Sequence, residues 1–160
     1  MHRQLDEKTL IGGQISVDDV AQLKALGVTL VVNNRPDGED EGQPASAEIE
    51  AAAKAAGLDY RHVPIARGMG PSDIEAMREA IHAAGEGKMF AFCRSGNRST
   101  LAWAVAMNED GVEREELVRC AEGAGFSLDA SSPNRLAPGR RPAGSSRWPS
   151  PKRCRSSSAC

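Results

Sequence analysis

The sequence FAFCRSGNRSTLAWAVA, at residues 90–106, contains the pattern from which the rest of the chain can be interpreted. It runs from a short apolar stretch through a cysteine and a small polar loop into an apolar segment of helical length. This order predicts a buried strand, a turn and a helix, which together form one crossover unit of an α/β domain. Cys93 then stands at the end of the strand, and Arg98 at the start of the helix.

The segments on either side repeat this alternation of strand and helix signals. Apolar runs predict strands at 10–15, 28–34, 59–65 and 88–93. Amphipathic patterns predict helices at 16–27, 46–57, 72–84, 99–108 and 113–122. Strands that are separated by helices form parallel sheets through crossover connections. The sequence therefore predicts an α/β fold, with a mainly parallel sheet of four to five strands and helices on both faces.

Two of the predicted helices begin with capping signals. Ser16 is followed three residues later by Asp19, which indicates a cap at the first helix. Ser72 and Glu75 have the same spacing and predict a capping box at the third helix.

Charge divides the chain into two parts. Residues 1–129 hold 13 Lys and Arg against 22 Asp and Glu, whereas residues 130–160 hold 7 basic residues and no acid. The second part is rich in Pro and Ser, so it cannot bury enough apolar surface to offset the entropy of ordering. We expect an α/β domain at 1–129 and a basic, disordered tail at 130–160.

The basic tail has two interpretations. A basic arm could bind nucleic acid or an acidic membrane, but no periodic pattern of aromatic residues supports this. Its mixture of Arg, Pro, Ser, Ala and Cys is also what a GC-rich gene yields when it is translated out of frame, and we favour this interpretation.

Composition excludes several other classes of protein. There is no apolar stretch of about 18 residues, so no transmembrane helix is predicted, and the first residues do not resemble a secretion signal. The cysteines show neither a C-x-x-C motif nor paired spacing, so neither a zinc site nor a disulfide framework is indicated. They lie at positions 93, 120, 154 and 160. We expect a cytoplasmic protein that uses no metal or cofactor and binds no nucleic acid.

The predicted fold indicates where a ligand binds. In open α/β sheets, ligands bind at the carboxyl ends of the strands. The loops at 35–44, 66–71 and 93–98 leave the strands at that edge, and only the last of them carries a nucleophile. A buried structural cysteine is the simpler explanation of Cys93, but the following Gly, Arg, Ser and apolar helix favour catalysis.

The loop after Cys93 has the composition of an anion-binding nest. Short or flexible residues let backbone N–H groups turn inward, and the following helix adds its N-terminal N–H groups. This field stabilises the thiolate form of a cysteine, which attacks electrophiles. The planar fork of an arginine can bridge two oxygens of an oxyanion. The expected catalytic residues are Cys93 and Arg98. The expected substrate-binding residues are Arg94, Ser95, Gly96, Asn97 and Ser99, the last also placed to bond the sulfur or to cap the helix.

These motifs resemble two known groups of proteins. The loop CRSGNRS resembles the active-site loop of bacterial rhodanese sulfurtransferases. Over about residues 5–129, the chain is similar to the phosphatase-like domain of beta-lactamase-hydrolase-like proteins, a small bacterial family within the protein-tyrosine and dual-specificity phosphatase fold. The segments that carry this second resemblance are IGGQIS, VVNNRPDGEDEGQPASAEIEAAAKAAGLDYRHVPI, the helix at 72–84 and FAFCRSGNRSTLAWA. Members of this family are also assigned as sulfurtransferases.

The second resemblance implies a protein-tyrosine-phosphatase-like sheet, with Cys93 as the nucleophile and Arg98 as the oxyanion clamp. The cysteine would take the phosphoryl group as a thiophosphate, which water then hydrolyses. The sequence departs from the phosphatase pattern in three ways. Four residues rather than five separate the cysteine from the arginine, and Phe92 stands where a histidine usually precedes the cysteine. The loop ARGMGPSD also lacks the usual aspartic general acid, since Asp73 is expected in the first turn of a helix.

Three functions remain open at this point. A phosphatase-like hydrolase of phosphoric monoesters is favoured, because most of the chain resembles the phosphatase family. A rhodanese-type sulfurtransferase that uses a Cys93 persulfide is a close alternative, because a shorter loop suits a sulfur atom better than a phosphate. A non-catalytic module that binds a phosphorylated ligand is the third. The expected partner is a small oxyanion or phosphorylated substrate, or a sulfur donor or acceptor.

The loop at 35–44 contains a run of charged residues. Asp37 could substitute for the missing acid, although a solvated turn is the commoner meaning of a charge run such as Asp37, Glu39 and Asp40. Arg35 is expected to pair with a neighbouring carboxylate.

Four further residues are expected to have structural roles. His62 is predicted to be packed or on the surface, and His82 lies on a helix with no assigned role. Cys120 and Trp103 are predicted to lie in the core.

Deletion of residues 130–160 tests the division of the chain. We expect the melting temperature and any activity to stay nearly unchanged, because the tail buries little apolar surface. Differential scanning calorimetry of the full and truncated chains measures this. A loss of several degrees would show that the tail docks on the domain.

Overall fold

The computed structural model describes residues 2–65, 70–126 and 128. Within these residues the chain forms five strands and five helices. The strands are β1 (His2–Asp6), β2 (Thr9–Gly12), β3 (Val28–Asn33), β4 (Asp59–His62) and β5 (Lys88–Phe92). The helices are α1 (Asp19–Ala25), α2 (Ser46–Ala55), α3 (Pro71–Ala84), α4 (Asn97–Glu109) and α5 (Arg114–Gly123). None of the helices in the described part is long and apolar enough to cross a membrane.

The strands form one sheet in the order β1-β2-β5-β3-β4. β2, β5, β3 and β4 pair in parallel, and β1 pairs with β2 in the antiparallel sense. The mainly parallel α/β fold is therefore confirmed. The sequence did not predict β1, because Leu5 is its one buried residue and so it has no apolar pattern.

The central strands are buried on both faces, as their apolar sequences predict. Phe90 and Phe92 of β5 contact one hydrophobic cluster, whereas Met89 and Ala91 contact the other, because successive side chains of a strand point to opposite faces. The first cluster includes residues of α1 and α2, and the second includes residues of α3, α4 and α5. Helices cover both faces, as predicted.

The core predictions for two residues are confirmed. Trp103 is completely buried in the cluster that joins α4 to the sheet, and Cys120 is only 5% exposed in the same cluster.

Neither serine predicted as a cap is the N-cap of its helix, because α1 begins at Asp19 with Asp18 as its N-cap and α3 begins at Pro71 with Gly70 as its N-cap. The reciprocal contacts predicted for Ser16 and Asp19 do form, just before α1. The backbone N–H of Ser16 donates to the Asp19 carboxylate at 2.9 Å, and the N–H of Asp19 donates to the Ser16 hydroxyl at 3.3 Å. At α3, however, the reciprocal contact joins Gly70 N–H to Asp73 at 3.0 Å. The helix begins earlier than predicted because Pro71, which suits the first helical position, follows Gly70 directly. Asp73 lies in the first turn, as expected.

Other boundaries also differ from prediction. β2 ends at Gly12 rather than at residue 15, and α2 ends at Ala55 rather than at residue 57. β4 ends at His62 rather than at residue 65, and α4 begins at Asn97, two residues before the predicted start. Part of the loop predicted at 66–71, the boundary at 129 and the tail at 130–160 lie outside the described residues.

A charged cluster connects α3 to the end of α4. Arg78 of α3 donates to Asp110 through Nε at 3.0 Å and lies 2.9 Å from it through Nη2. His82 Nε2 is 2.9 Å from the other Asp110 oxygen. Burial alone would lower the pKa of Arg78, but the contacts with Asp110 raise it above its ordinary value. Asp110 is thus the shared anion of this helix pair.

Replacement of Asp110 by Ala should destabilise the protein by about 2 kcal/mol, because it leaves a part-buried guanidinium without its main counter-charge. The matched control is Glu109→Ala, since Glu109 is half exposed and 3.9 Å from Arg78. The control should cost less than about 0.5 kcal/mol. Urea denaturation measures both values, and equal effects would contradict the assignment.

Candidate active site

The candidate site is built at the turn between β5 and α4. β5 ends at Phe92, Cys93 follows it, and α4 starts at Asn97. Gly96 makes the turn with a φ of 98°, a conformation that side chains rarely adopt. A Cβ at this position would lie 2.8 Å from Cζ of Phe126, so both the backbone angle and the space require glycine.

Cys93 lies beneath this turn and is completely buried. The backbone N–H of Gly96 donates to its sulfur at 3.0 Å. The sulfur therefore lies at the N-terminal end of α4, a helix of 13 residues, where the helix dipole favours negative charge. The Gly96 N–H and the N-terminal end of α4 therefore both face the sulfur.

Arg98 lies in the first turn of α4, and its guanidinium holds a carboxylate of the protein itself. Nη1 donates to Glu39 Oε2 at 2.8 Å, and Nη2 donates to Glu39 Oε1 at 2.7 Å. Nη1 also donates to the backbone carbonyl of Ile65 at 2.7 Å. The pKa of Arg98 is raised, first by the hydrogen bond that it donates to Glu39 and further by Cys93. The contacts with Glu39 and Ile65 thus fix the guanidinium of Arg98 in place.

Glu39 bridges two arginines. Its Oε1 also accepts a hydrogen bond from Arg35 Nε at 2.9 Å. The hydrogen bond from Arg98, followed by that from Arg35, lowers the pKa of Glu39 below its ordinary value. Glu39 is therefore a carboxylate at neutral pH and cannot serve there as a proton donor.

Arg35 is only 3% exposed and is surrounded by acceptors. Besides Glu39, it contacts the Asp40 carboxylate and donates to Gln14 Oε1 at 3.0 Å. The predicted pairing of Arg35 with a carboxylate is confirmed. The turn that carries Asp37, Glu39 and Asp40 is exposed, as predicted. Glu39 and Asp40 also supply counter-charges to Arg35, and Glu39 does so to Arg98, which the sequence did not indicate.

The other loop residues differ in their surroundings. Arg94 is two-thirds exposed, and its Nε is 3.4 Å from Asp40. Ser95 and Asn97 are exposed. Ser99 is completely buried, and its hydroxyl has no hydrogen-bond partner among the described residues. The predicted bond from Ser99 to the sulfur is therefore not formed, and Gly96 rather than Ser99 is the N-cap of α4.

The carboxylate of Asp37 makes a structural contact. Its Oδ1 accepts a hydrogen bond from the backbone N–H of Ser46 at 2.7 Å, where α2 begins. His62 is exposed, and its Nε2 is 3.0 Å from the carbonyl of Arg35. Neither residue contacts Cys93 or Arg98 in the described structure.

Phe92 stands where phosphatases usually have a histidine, and its side chain packs in the hydrophobic core. It is completely buried, and its ring stacks on that of Phe90 with centroids 6.1 Å apart.

Sequence reasoning missed three groups that build the site. They are the carbonyl of Ile65, the amide of Gln14 and the carboxylate of Glu39 as a partner of Arg98. Arg35 and Glu39 lie four residues apart, and this short spacing could have indicated their ion pair. It could not have indicated the contact of Glu39 with Arg98. Within the described ranges, no group of three or more side chains could hold a metal ion.

Comparison with known sequences agrees with the predicted family. Residues 2–109 match the family described as beta-lactamase hydrolase-like protein, phosphatase-like domain. The beta-lactamase hydrolase-like protein of Agrobacterium fabrum is 34% identical over 134 residues, which cover 81% of this chain and 30% of that protein. The chain thus spans less than a third of the length of that relative.

Comparison with solved structures supports the same fold. A candidate phosphatase from Neisseria meningitidis superposes with a TM-score of 0.70 at 33% identity, covering 84% of this chain and 94% of that chain. Kinase associated phosphatase, with serine at its catalytic cysteine, gives a TM-score of 0.62 at 18% identity and covers 84% of this chain and 89% of its own. The second likeness concerns the fold alone. The predicted protein-tyrosine-phosphatase-like fold is confirmed, and the chain belongs to the family of phosphatase-like domains of beta-lactamase hydrolase-like proteins.

Proposed function

We propose that this domain is a cysteine-dependent hydrolase of phosphoric monoesters. The observation that carries the proposal is the environment of Cys93, whose sulfur accepts the Gly96 N–H at 3.0 Å at the start of α4. A thiolate there is the nucleophile, and an arginine fork beside it is the group that binds phosphoryl oxygens. Arg94, Ser95, Gly96, Asn97 and Ser99 complete the proposed oxyanion site.

The proposed reaction has two steps. The Cys93 thiolate attacks phosphorus, the bond from phosphorus to the ester oxygen breaks, and the leaving group takes a proton from solvent. Water then attacks the thiophosphate, the S–P bond breaks, and the thiolate and inorganic phosphate are released. The buried Ser99 hydroxyl has no hydrogen-bond partner among the described residues, and we propose that it turns to donate to the sulfur when the thiolate is released.

The acids of the site narrow the class of substrate. Glu39 is held as a carboxylate by two arginines, and Asp37 and Asp73 accept backbone hydrogen bonds at helix starts. None of these three acids in the described residues is placed as a proton donor, so we propose that the leaving group departs as an anion. We therefore propose aryl phosphates, whose phenolate leaving groups are stable anions, as better substrates than alkyl phosphates.

Sulfur transfer is the second candidate. In that reaction thiosulfate would give its outer sulfur to Cys93 and release sulfite, and cyanide would then take the sulfur as thiocyanate. The short loop favours it, because only Arg94, Ser95 and Gly96 separate Cys93 from the first helical residue. A smaller ring of N–H donors suits a persulfide better than a tetrahedral phosphate.

Paired assays of p-nitrophenyl phosphate hydrolysis and of thiocyanate formation test these roles. We expect hydrolysis by the native chain, none by Cys93→Ser, and about a hundredfold loss in Arg98→Lys, which keeps the charge but loses the fork. Sulfur transfer without hydrolysis would replace the first proposal by the second. Binding of phosphate without any turnover would identify a non-catalytic binding module.

A second prediction concerns the leaving group. The kcat/KM for p-nitrophenyl phosphate should exceed that for phenyl phosphate by about tenfold or more, because no acid assists departure. The control is Asp37→Asn, which can still accept the Ser46 N–H and should change either value by less than about twofold. Equal rates for the two esters, or a large loss in the control, would show that a general acid operates.

A further inference from the structure

Glu39 occupies the arginine fork in the way that an oxyanion ligand would. Both of its carboxylate oxygens accept from Arg98, at 2.7 and 2.8 Å, and one of them also accepts from Arg35. A bidentate contact of this kind is the geometry in which arginine binds carboxylates and phosphates alike. The proposed substrate and the Glu39 side chain therefore require the same donors.

Both arginines have other contacts that hold them in place. Arg98 donates to the Ile65 carbonyl at 2.7 Å, and Arg35 contacts Gln14 and Asp40. Removal of the Glu39 carboxylate thus leaves each guanidinium with at least one anchoring acceptor. The Glu39 contact is not needed to aim the fork.

The segment that carries Glu39 is exposed and held by polar contacts. The backbone N–H of Glu39 donates to Gln43 Oε1 at 3.1 Å, and the side-chain amide of Gln43 donates to the Pro36 carbonyl at 2.9 Å. Residues 37–42 are all exposed, so no apolar packing opposes an outward movement of the side chain. Cys93 is completely buried in this arrangement, and its attack on a substrate requires the site to open.

We propose that Glu39 is a specificity-determining residue, an internal anion that competes with the oxyanion of the substrate for Arg98. This inference rests on the proposed function and adds the rule by which the site selects ligands. The apparent affinity of any anion is reduced by the fraction of molecules in which Glu39 has left the fork. A carboxylate ligand would accept the same two hydrogen bonds from Arg98 that Glu39 already accepts, so it gains no advantage over Glu39. A tetrahedral dianion carries more charge and further oxygens for the loop N–H groups, so it is selected.

Sulfate binding to the full chain at pH 7 tests the proposal by titration calorimetry, since sulfate is a tetrahedral dianion that is not turned over. Glu39→Gln should bind sulfate about tenfold more tightly than the native chain, because the neutral amide competes weakly for the guanidinium. The matched control is Glu41→Gln, which removes the same charge two residues away. The control should change the affinity by less than about twofold, because exposed charges are screened.

The sign of the change distinguishes the possible roles. Unchanged or weaker binding in Glu39→Gln would overturn the proposal and identify Glu39 as a positioning residue for Arg98. Equal gains in Glu39→Gln and Glu41→Gln would overturn it in favour of a general charge effect. If Glu39→Gln does not fold, Glu39→Asp gives the readout, since its shorter side chain keeps the charge but loses reach and should also bind sulfate more tightly.

Different results would overturn the proposed function and this inference. Absence of sulfate binding in the native chain and in Glu39→Gln would remove the anion site and overturn both. Hydrolysis by the native chain together with weaker sulfate binding in Glu39→Gln would overturn this inference alone.

Discussion

The turn at Gly96 places a helix N-terminus directly above the sulfur of Cys93. A positive φ at Gly96 lets the chain pass from β5 to α4 through only four residues, 93–96, and it aims the Gly96 N–H at the sulfur. The same turn sets the direction of α4, whose Trp103 is fully buried against the sheet. The packing of one face of the domain and the chemistry at its edge therefore depend on a single backbone conformation.

Charge balance is the second constraint at this edge. Arg35 is almost fully buried, and a buried guanidinium is tolerated only with counter-charges and acceptors around it. Glu39 and Asp40 supply those charges, and Glu39 also forms an ion pair with Arg98. The loop that joins β3 to α2 is thus part of the site, although it contains no nucleophile.

Local patterns in the sequence predicted the central strands, the alternation of helices, the contacts between Ser16 and Asp19, and the buried Trp103. These features depend on burial periodicity and on contacts between near neighbours, which a sequence displays directly. β1 escaped prediction because one buried leucine among polar residues has no periodicity, and its pairing is supplied by β2. The contact of Glu39 with Arg98 joins residues 59 positions apart. No local pattern encodes which of several acids in a loop reaches an arginine on another element.

A contact between β1 and the end of α5 has a consequence for the order of folding. Arg3 of β1 donates to the carbonyl of Ala124 at 3.2 Å, a contact between residues 121 positions apart, just after α5 ends. Closing so long a loop carries an entropic cost that grows with its length, and contacts of this separation slow folding. The pairing of β1 with β2 joins near neighbours in the sequence, whereas the contact with Ala124 cannot form until the rest of the domain has brought α5 to this edge. We therefore expect the β1 edge to reach its final contacts late in folding.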